Sequence, residues 1–168
     1  LTESHTPAEV QTAVRYAREH DLPWYVIGGG SNTLAHDAGY DGLIILNKIA
    51  GFNTLRQDND TLTLKVGGGE IWDEVVRRSV EMNLSGIECL SSIPGTAGAA
   101  PVQNIGAYGQ EVGDVISMVE AYDSQTDSFV ALANADCQFG YRHSMFRGSE
   151  AGRYIITAIE LTLSKHVA

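Results

Sequence analysis

The chain has 168 residues, 43% of them hydrophobic, and a formal net charge of -10. It has enough apolar side chain for a real core, and its charge has the wrong sign for nucleic acid or an anionic membrane surface as a general partner. No apolar run reaches the ~18 residues of a membrane span. The opening Leu1-Thr2-Glu3-Ser4-His5 lacks the basic-then-apolar pattern of a signal peptide, so a cytoplasmic location is expected. The first residue is not Met, which suggests a chain trimmed at its N-terminus.

In chain order, Thr6-Pro7-Ala8-Glu9 opens a helix. Thr6 is its N-cap, Pro7 lies in the first turn and Glu9 completes a capping box. Val10, Ala13, Val14 and Ala17 form its apolar face, and Pro23 stops it near Asp21. Residues 24–27 read as a short buried strand running into Gly28-Gly29-Gly30. Buried and half-buried strands follow at 43–46 and 61–66, the latter ended by Gly67-Gly68-Gly69. The spacing predicts a helix over 71–84 with Ile71, Val75, Val76 and Val80 inward.

Residues 85–109 have no clear period. Residues 115–122 and 128–132 read as a hairpin with its turn at 123–127. Residues 154–164 form a long last strand with Ile155, Ile159, Leu161 and Leu163 on one side. Hairpins mixed with strand–helix links imply an α+β fold with mixed or antiparallel sheets and flanking helices.

Three segments carry chemistry. Gly28, Gly29, Gly30, Ser31 and Asn32 directly follow a strand. Glycines let the backbone approach a ligand, and successive N–H groups in such a turn form an anion site without a lysine. A Rossmann turn is rejected because Thr33 stands at the sixth position and a turn-rich stretch follows. A P-loop is rejected because Gly-Lys-Ser/Thr is absent. A plain tight turn remains the alternative.

The second segment, 91–109, has no charged residue. It is too irregular for a helix and too small in side-chain volume for a core, as suits backbone lying against something large and flat. Gln103 and Asn104 offer donors and acceptors for a polar ring edge. A mobile surface loop is the alternative. The third segment is Phe139-Gly140-Tyr141-Arg142-His143-Ser144-Met145-Phe146-Arg147. An arginine between aromatics can be oriented by stacking, and its planar fork suits a carboxylate or developing oxyanion. Against this stands a surface arginine paired with an acid.

Cys89 and Cys137 fit no zinc or CxxC spacing and read as free thiols. No His/Cys/carboxylate cluster has metal spacing.

Together the three segments, in order along nearly the whole chain, resemble the UDP-N-acetylenolpyruvoylglucosamine reductase family. The most specific stretch is Ile93-Pro94-Gly95-Thr96-Ala97-Gly98-Ala99-Ala100-Pro101-Val102-Gln103-Asn104-Ile105-Gly106-Ala107-Tyr108-Gly109-Gln110-Glu111, supported by Gly28 to Asn32 and Phe139 to Phe146. The resemblance implies the two-lobed FAD-binding fold shared with the vanillyl-alcohol-oxidase (PCMH-type) flavoproteins, with lobes over 1–67 and 68–168. FAD would lie between them, bound non-covalently. Gly28, Gly29, Gly30, Ser31 and Asn32 would take its pyrophosphate. Pro94, Gly95, Thr96, Ala97, Gly98, Ala99, Gln103, Asn104, Ile105, Gly106, Ala107 and Tyr108 would lie along pyrophosphate, ribityl chain and flavin ring. Amide dipoles at contact distance would then hold an anion whatever the net charge.

The implied activity passes a hydride from NADPH through FAD to the enolpyruvyl group of a UDP-sugar. Arg142 would be catalytic, polarising the substrate carboxylate, and Tyr141 with Arg142 would bind substrate. A monomer is expected. The family continues into a substrate-binding domain that supplies a serine proton donor and an assisting glutamate. This sequence stops at Ala168, where that domain would begin, so the chain is expected to bind FAD without turnover. The competing readings are another flavoprotein of this fold, with flavin tethered through His or Cys, and a non-catalytic flavin carrier or acidic interaction module. No histidine adjoins either glycine-rich loop, and Cys89 is the only nearby thiol.

Overall fold

The computed structural model describes residues 1–166. The last two residues of the expected second lobe lie outside them. Three residues without a sequence signal, Thr2–Ser4, form the first strand, β1. Helix α1 spans Pro7–Glu19 and buries Val10, Ala13, Val14 and Ala17. The Glu9 N–H donates to the Thr6 hydroxyl at 3.2 Å, while the Glu9 carboxylate accepts from the His5 N–H at 2.6 Å. The reciprocal cap therefore closes one residue earlier than a standard capping box. β2 (Trp24–Ile27) and β3 (Leu43–Asn47) complete a small parallel sheet in the order β1-β3-β2. α1 packs on it through Val10, Val14 and Ile45.

The second sheet is antiparallel, in the order β4-β5-β10-β8-β9. It contains β4 (Phe52–Gln57), β5 (Thr61–Gly67), β8 (Ile116–Asp123), β9 (Ser128–Ala133) and β10 (Tyr154–Ser164). A two-residue ribbon, β6 (Gly106–Ala107) with β7 (Gln110–Glu111), stands apart. Hydrogen bonding passes from the small sheet to the large one between Asn47 and Phe52, ahead of the division expected after residue 67. β4 had no clear sequence signal, because all but Phe52 of its side chains are exposed.

Helix α2 spans Trp72–Glu81 and covers the large sheet with Trp72, Val75, Val76 and Ser79. Ile71 and Val80, expected inward, point outward at 64% and 49% exposure. Ile71 is the extended N-cap residue, so it lies outside the helical period, and the Trp72 indole anchors the register by donating to the Leu90 carbonyl at 3.0 Å. The last strand also departs from simple alternation. Its register against β8 shifts between Ile156 and Ala158. Ile155 therefore joins the small-sheet core, while Ile156, Ile159, Leu161 and Leu163 join the large one.

The two cores meet where Tyr122 and Ile155 of the large sheet pack with α1 and β3. A polar clasp reinforces this seam. Arg15 and Gln11 on α1 hold Asp127 in the β8–β9 turn, the Tyr122 hydroxyl donates to the same carboxylate at 2.7 Å, and Arg18 holds the Ser124 carbonyl. Among the described residues no helix is long and apolar enough to cross a membrane.

Candidate functional site

The first glycine-rich stretch leaves the end of β2 as an exposed turn. Gly30 takes φ +74°, and the Thr33 N–H donates to the Gly30 carbonyl at 3.2 Å. The second is pinned by the start of α2. The Trp72 N–H donates to the Gly95 carbonyl (3.1 Å), the Ala97 N–H to the Glu70 carbonyl (2.9 Å) and the Gly98 N–H to the Gly68 carbonyl (2.8 Å).

The two stretches, some 65 residues apart in sequence, touch. A methyl group on Gly29 would lie 3.6 Å from the Gly95 α-carbon, and one on Gly28 would strike the Thr96 hydroxyl. Among the described residues, the N–H groups of Gly29, Gly30, Ser31, Asn32, Gly95 and Thr96 find no acceptor within the protein. The Thr96 hydroxyl is buried and likewise without a partner. Buried polar groups are nearly always paired, so the orphaned Thr96 hydroxyl, beside a run of free turn amides, fits an anion seated between the turns.

Around this junction lie two adjoining clefts. One, of about 310 Å³, is lined by residues 28–33 together with Trp72, Gly95, Thr96, Gln103 and Ile105. The other, of about 410 Å³, is more apolar and is walled by Trp24, Tyr25, Phe146, Tyr154, Ile155 and Ile156. Tyr25, Val26, Gly28, Thr96, Ala99, Val102 and Arg147 line both. No Asp or Glu lines either cleft among the described residues, so a chain with a charge of -10 presents only a cation there. Arg147 carries no sequence signal for a role, because the turn that brings it to the cleft is set by the buried Ser144 and its bond to the distant Val102 carbonyl.

The expected residues of the second stretch divide between the cleft walls and the core. Pro94, Gly95, Thr96, Ala99, Gln103 and Ile105 line the first cleft and Gly98 the second. Ala97 is fully buried in the main core. Gly98 owes its lack of a side chain largely to packing, since a methyl there would lie 2.9 Å from the Gly68 carbonyl and 3.1 Å from that of Ile156. Asn104 does not offer its amide to a ring edge. Its side chain is buried, donating to Glu111 Oε2 (2.6 Å) and the Gly140 carbonyl (3.0 Å) and accepting from the Gly113 N–H (2.8 Å). Those bonds use both of its donors.

Gly106, Ala107, Tyr108, Tyr141 and Arg142 lie beyond the cleft walls, on two tight turns that lean together. Gly140 and His143 close one turn by mutual backbone bonds of 3.1 and 2.9 Å. Arg142 stands at its corner with φ +52° and donates to the Gly106 carbonyl at 3.1 Å. Tyr108 sits at the other corner with φ +51°. Left-handed backbone costs a non-glycine residue about 1–2 kcal/mol, so these corners hold their conformation against a local penalty. Arg142 is not oriented by ring stacking as expected. Tyr141 turns to solvent at 84% exposure, and the guanidinium–ring stacks among the described residues are Arg78 on Phe52 and Arg153 on Tyr154. The Gly106 carbonyl does the orienting instead.

Cys89 lines neither cleft, and its N–H is bound to Gln110 Oε1 at 2.9 Å. Cys137 is buried, and burial pushes its thiol up to about 12. No cluster of three or more potential metal ligands occurs among the described residues.

A two-sheet α+β chain with glycine-rich turns meeting over a cleft of unpaired amides is the architecture of a flavin-nucleotide-binding module. Residues 2–128 match the FAD binding domain family, and the chain belongs to it. The chain is 47% identical over 163 residues, 97% of its length, to the UDP-N-acetylenolpyruvoylglucosamine reductase of Streptomyces coelicolor, of which it covers 41%. The crystal structure of UDP-N-acetylenolpyruvylglucosamine reductase from Thermus caldophilus superposes with a TM-score of 0.71 at 27% identity, over 96% of this chain and 54% of that one. The 6-hydroxy-D-nicotine oxidase of Arthrobacter nicotinovorans shares the fold at a TM-score of 0.70 and 21% identity, over 96% and 35% of the two chains. The chain spans less than half the length of the curated relatives it matches.

Proposed function

We propose that this chain is the FAD-holding part of an NADPH-dependent UDP-N-acetylenolpyruvoylglucosamine reductase, acting in peptidoglycan precursor synthesis. The observation that carries the reading is the contact between the turns at residues 28–32 and 95–96. There, two sets of unpaired N–H groups and the buried Thr96 hydroxyl converge on one cleft.

Bound flavin supplies the capacity to accept a hydride and pass it on. The chain's own residues bind and orient. The turn amides neutralise a diphosphate at contact distance, where local dipoles outweigh a distant net charge. Trp24, Tyr25, Phe146 and Tyr154 give the second cleft the flat, apolar wall that suits a heteroaromatic ring. Arg142, held at a turn corner by the Gly106 carbonyl, presents its fork to the carboxylate of an enolpyruvyl UDP-sugar. As reduction proceeds, negative charge grows on that carboxylate, and a fixed guanidinium meets it with two hydrogen bonds.

The test is direct. The purified chain is mixed with FAD, desalted and denatured. The reading expects a visible flavin band after desalting and free flavin after denaturation. Flavin that stays with the denatured chain would favour a covalently tethered oxidase, and a colourless desalted protein would remove the cofactor assignment.

A further inference from the structure

Arg147 is the one charged side chain lining the two clefts among the described residues, and it lies on the wall they share. Among the described residues it has no carboxylate partner, a trait it shares with Arg18, Arg78 and Arg142, none of which lines a cleft. Arg15, Arg56, Arg77 and Arg153 are each paired with a carboxylate. Arg147 has only the Arg142 carbonyl, at a long 3.4 Å.

Its backbone, by contrast, is firmly held. Ser144, Met145 and Phe146 are buried just before it. The Ser144 hydroxyl donates to the Val102 carbonyl at 2.6 Å, and the Arg147 and Gly148 N–H groups both return to the Ser144 carbonyl, at 3.2 and 3.0 Å. A fixed base with an uncommitted guanidinium is what a ligand clamp requires, because little backbone ordering remains to oppose binding.

The position says which part of a ligand it meets. A molecule with an aromatic group in each cleft must pass its linker through the shared wall. There the linker would meet Gly28, Thr96 and Arg147, which all line both clefts. We infer that Arg147 is an anion clamp for the diphosphate linker of the dinucleotide, supplementing the neutral turn amides with the site's cationic charge. Planar guanidinium geometry favours two-point contact with phosphate oxygens over the single point charge of a lysine. The inference rests on the FAD assignment above and deepens it.

Arg147→Gln and Arg147→Lys, checked for unchanged circular dichroism, are titrated with FAD, with riboflavin, and with ADP competing against FAD. Arg147→Gln is expected to weaken FAD and ADP by about 10- to 100-fold, the range for a lost charged hydrogen bond. Riboflavin, which has no phosphate, should change by less than twofold. Arg147→Lys should recover part of the loss, and wild type should lose affinity with salt more steeply than Arg147→Gln. FAD binding within twofold of wild type in Arg147→Gln overturns the clamp while leaving the flavin site standing. An equal loss for riboflavin also overturns it, since the side chain would then act on the ring or the fold. A wild-type chain that binds none of the three removes the flavin assignment and the clamp with it.

Discussion

Gly28 and Thr96 are in contact so close that the first has no room for a side chain. A methyl group on Gly28 would run into the Thr96 hydroxyl, whose own residue is buried against the main core. The backbone at Gly28 needs no left-handed angle, so the glycine is there for space alone. Gly28→Ala should therefore part the two turns. Overpacking of this kind costs about 1–3 kcal/mol, and the melting temperature should fall accordingly. Flavin affinity should drop at least about tenfold, because the amides on the two sides no longer converge. A fluorescence titration with FAD reads this directly, and an unchanged affinity would separate the contact from the site.

Thr96 allows a sharper separation of stability from binding. Its hydroxyl is buried and finds no partner within the protein, a situation that costs about 1–3 kcal/mol. Thr96→Val keeps the shape and removes the hydroxyl. The free chain should become more stable by about 1 kcal/mol, while FAD binds about tenfold more weakly for want of one hydrogen bond. Thermal unfolding with and without FAD gives both numbers. A variant that is less stable and equally competent to bind would mean that the hydroxyl has no ligand to meet.

How far these features could be read from the sequence depends on the range of the interactions behind them. Helix α1 was legible because Thr6, Pro7 and Glu9 act within one turn, and its apolar face repeats at helical spacing. The glycine stretches were legible as backbone surfaces, but their contact was not, since Gly29 meets Gly95 only after two sheets have formed. Ile71 misled because hydrophobicity alone cannot tell the N-cap from the first helical residue, while the neighbouring Trp72 buries itself through a bond to Leu90. The shift after Ile156 hid the division of β10 between two cores. Nothing local to Asn104 reveals Glu111, Gly113 and Gly140, the groups that the fold brings to its side chain.

Acid should loosen both the β8–β10 end of the large sheet and the seam between the sheets. Two hydrogen bonds from Arg153, at 2.9 and 2.6 Å, hold the buried Asp123 carboxyl well below the usual carboxylate range. Asp127 is depressed by its bonds from Arg15 and then Tyr122. A folded-state pKa below the unfolded one gives stability that is present above about pH 4 and lost as pH falls below it. Urea midpoints should hold steady from pH 7 to 5 and decline below about pH 4. Asp123→Asn should flatten that acid limb and cost about 1–3 kcal/mol at pH 7, as the half-buried Arg153 loses its charged bonds to Asp123 while keeping Glu150. An acid limb unchanged in Asp123→Asn would assign it to other carboxyls.

Arg142 is the residue at which binding and chemistry should part company. It lies outside both clefts, and among the described residues its guanidinium is held by the Gly106 carbonyl above a left-handed backbone. Arg142→Ala should therefore retain FAD with an affinity within about twofold of wild type, well under the tenfold of one lost hydrogen bond. If the proposed reduction is correct, the product of the complete reading frame should lose about 10²–10³-fold in kcat, the scale for one lost oxyanion donor. Arg142→Lys should restore little, because an ammonium supplies the charge without the two-point geometry. NADPH consumption dependent on the enolpyruvyl UDP-sugar measures kcat, and retained flavin absorbance reports the site. A large loss of flavin with intact turnover per bound flavin would move Arg142 from the substrate to the cofactor.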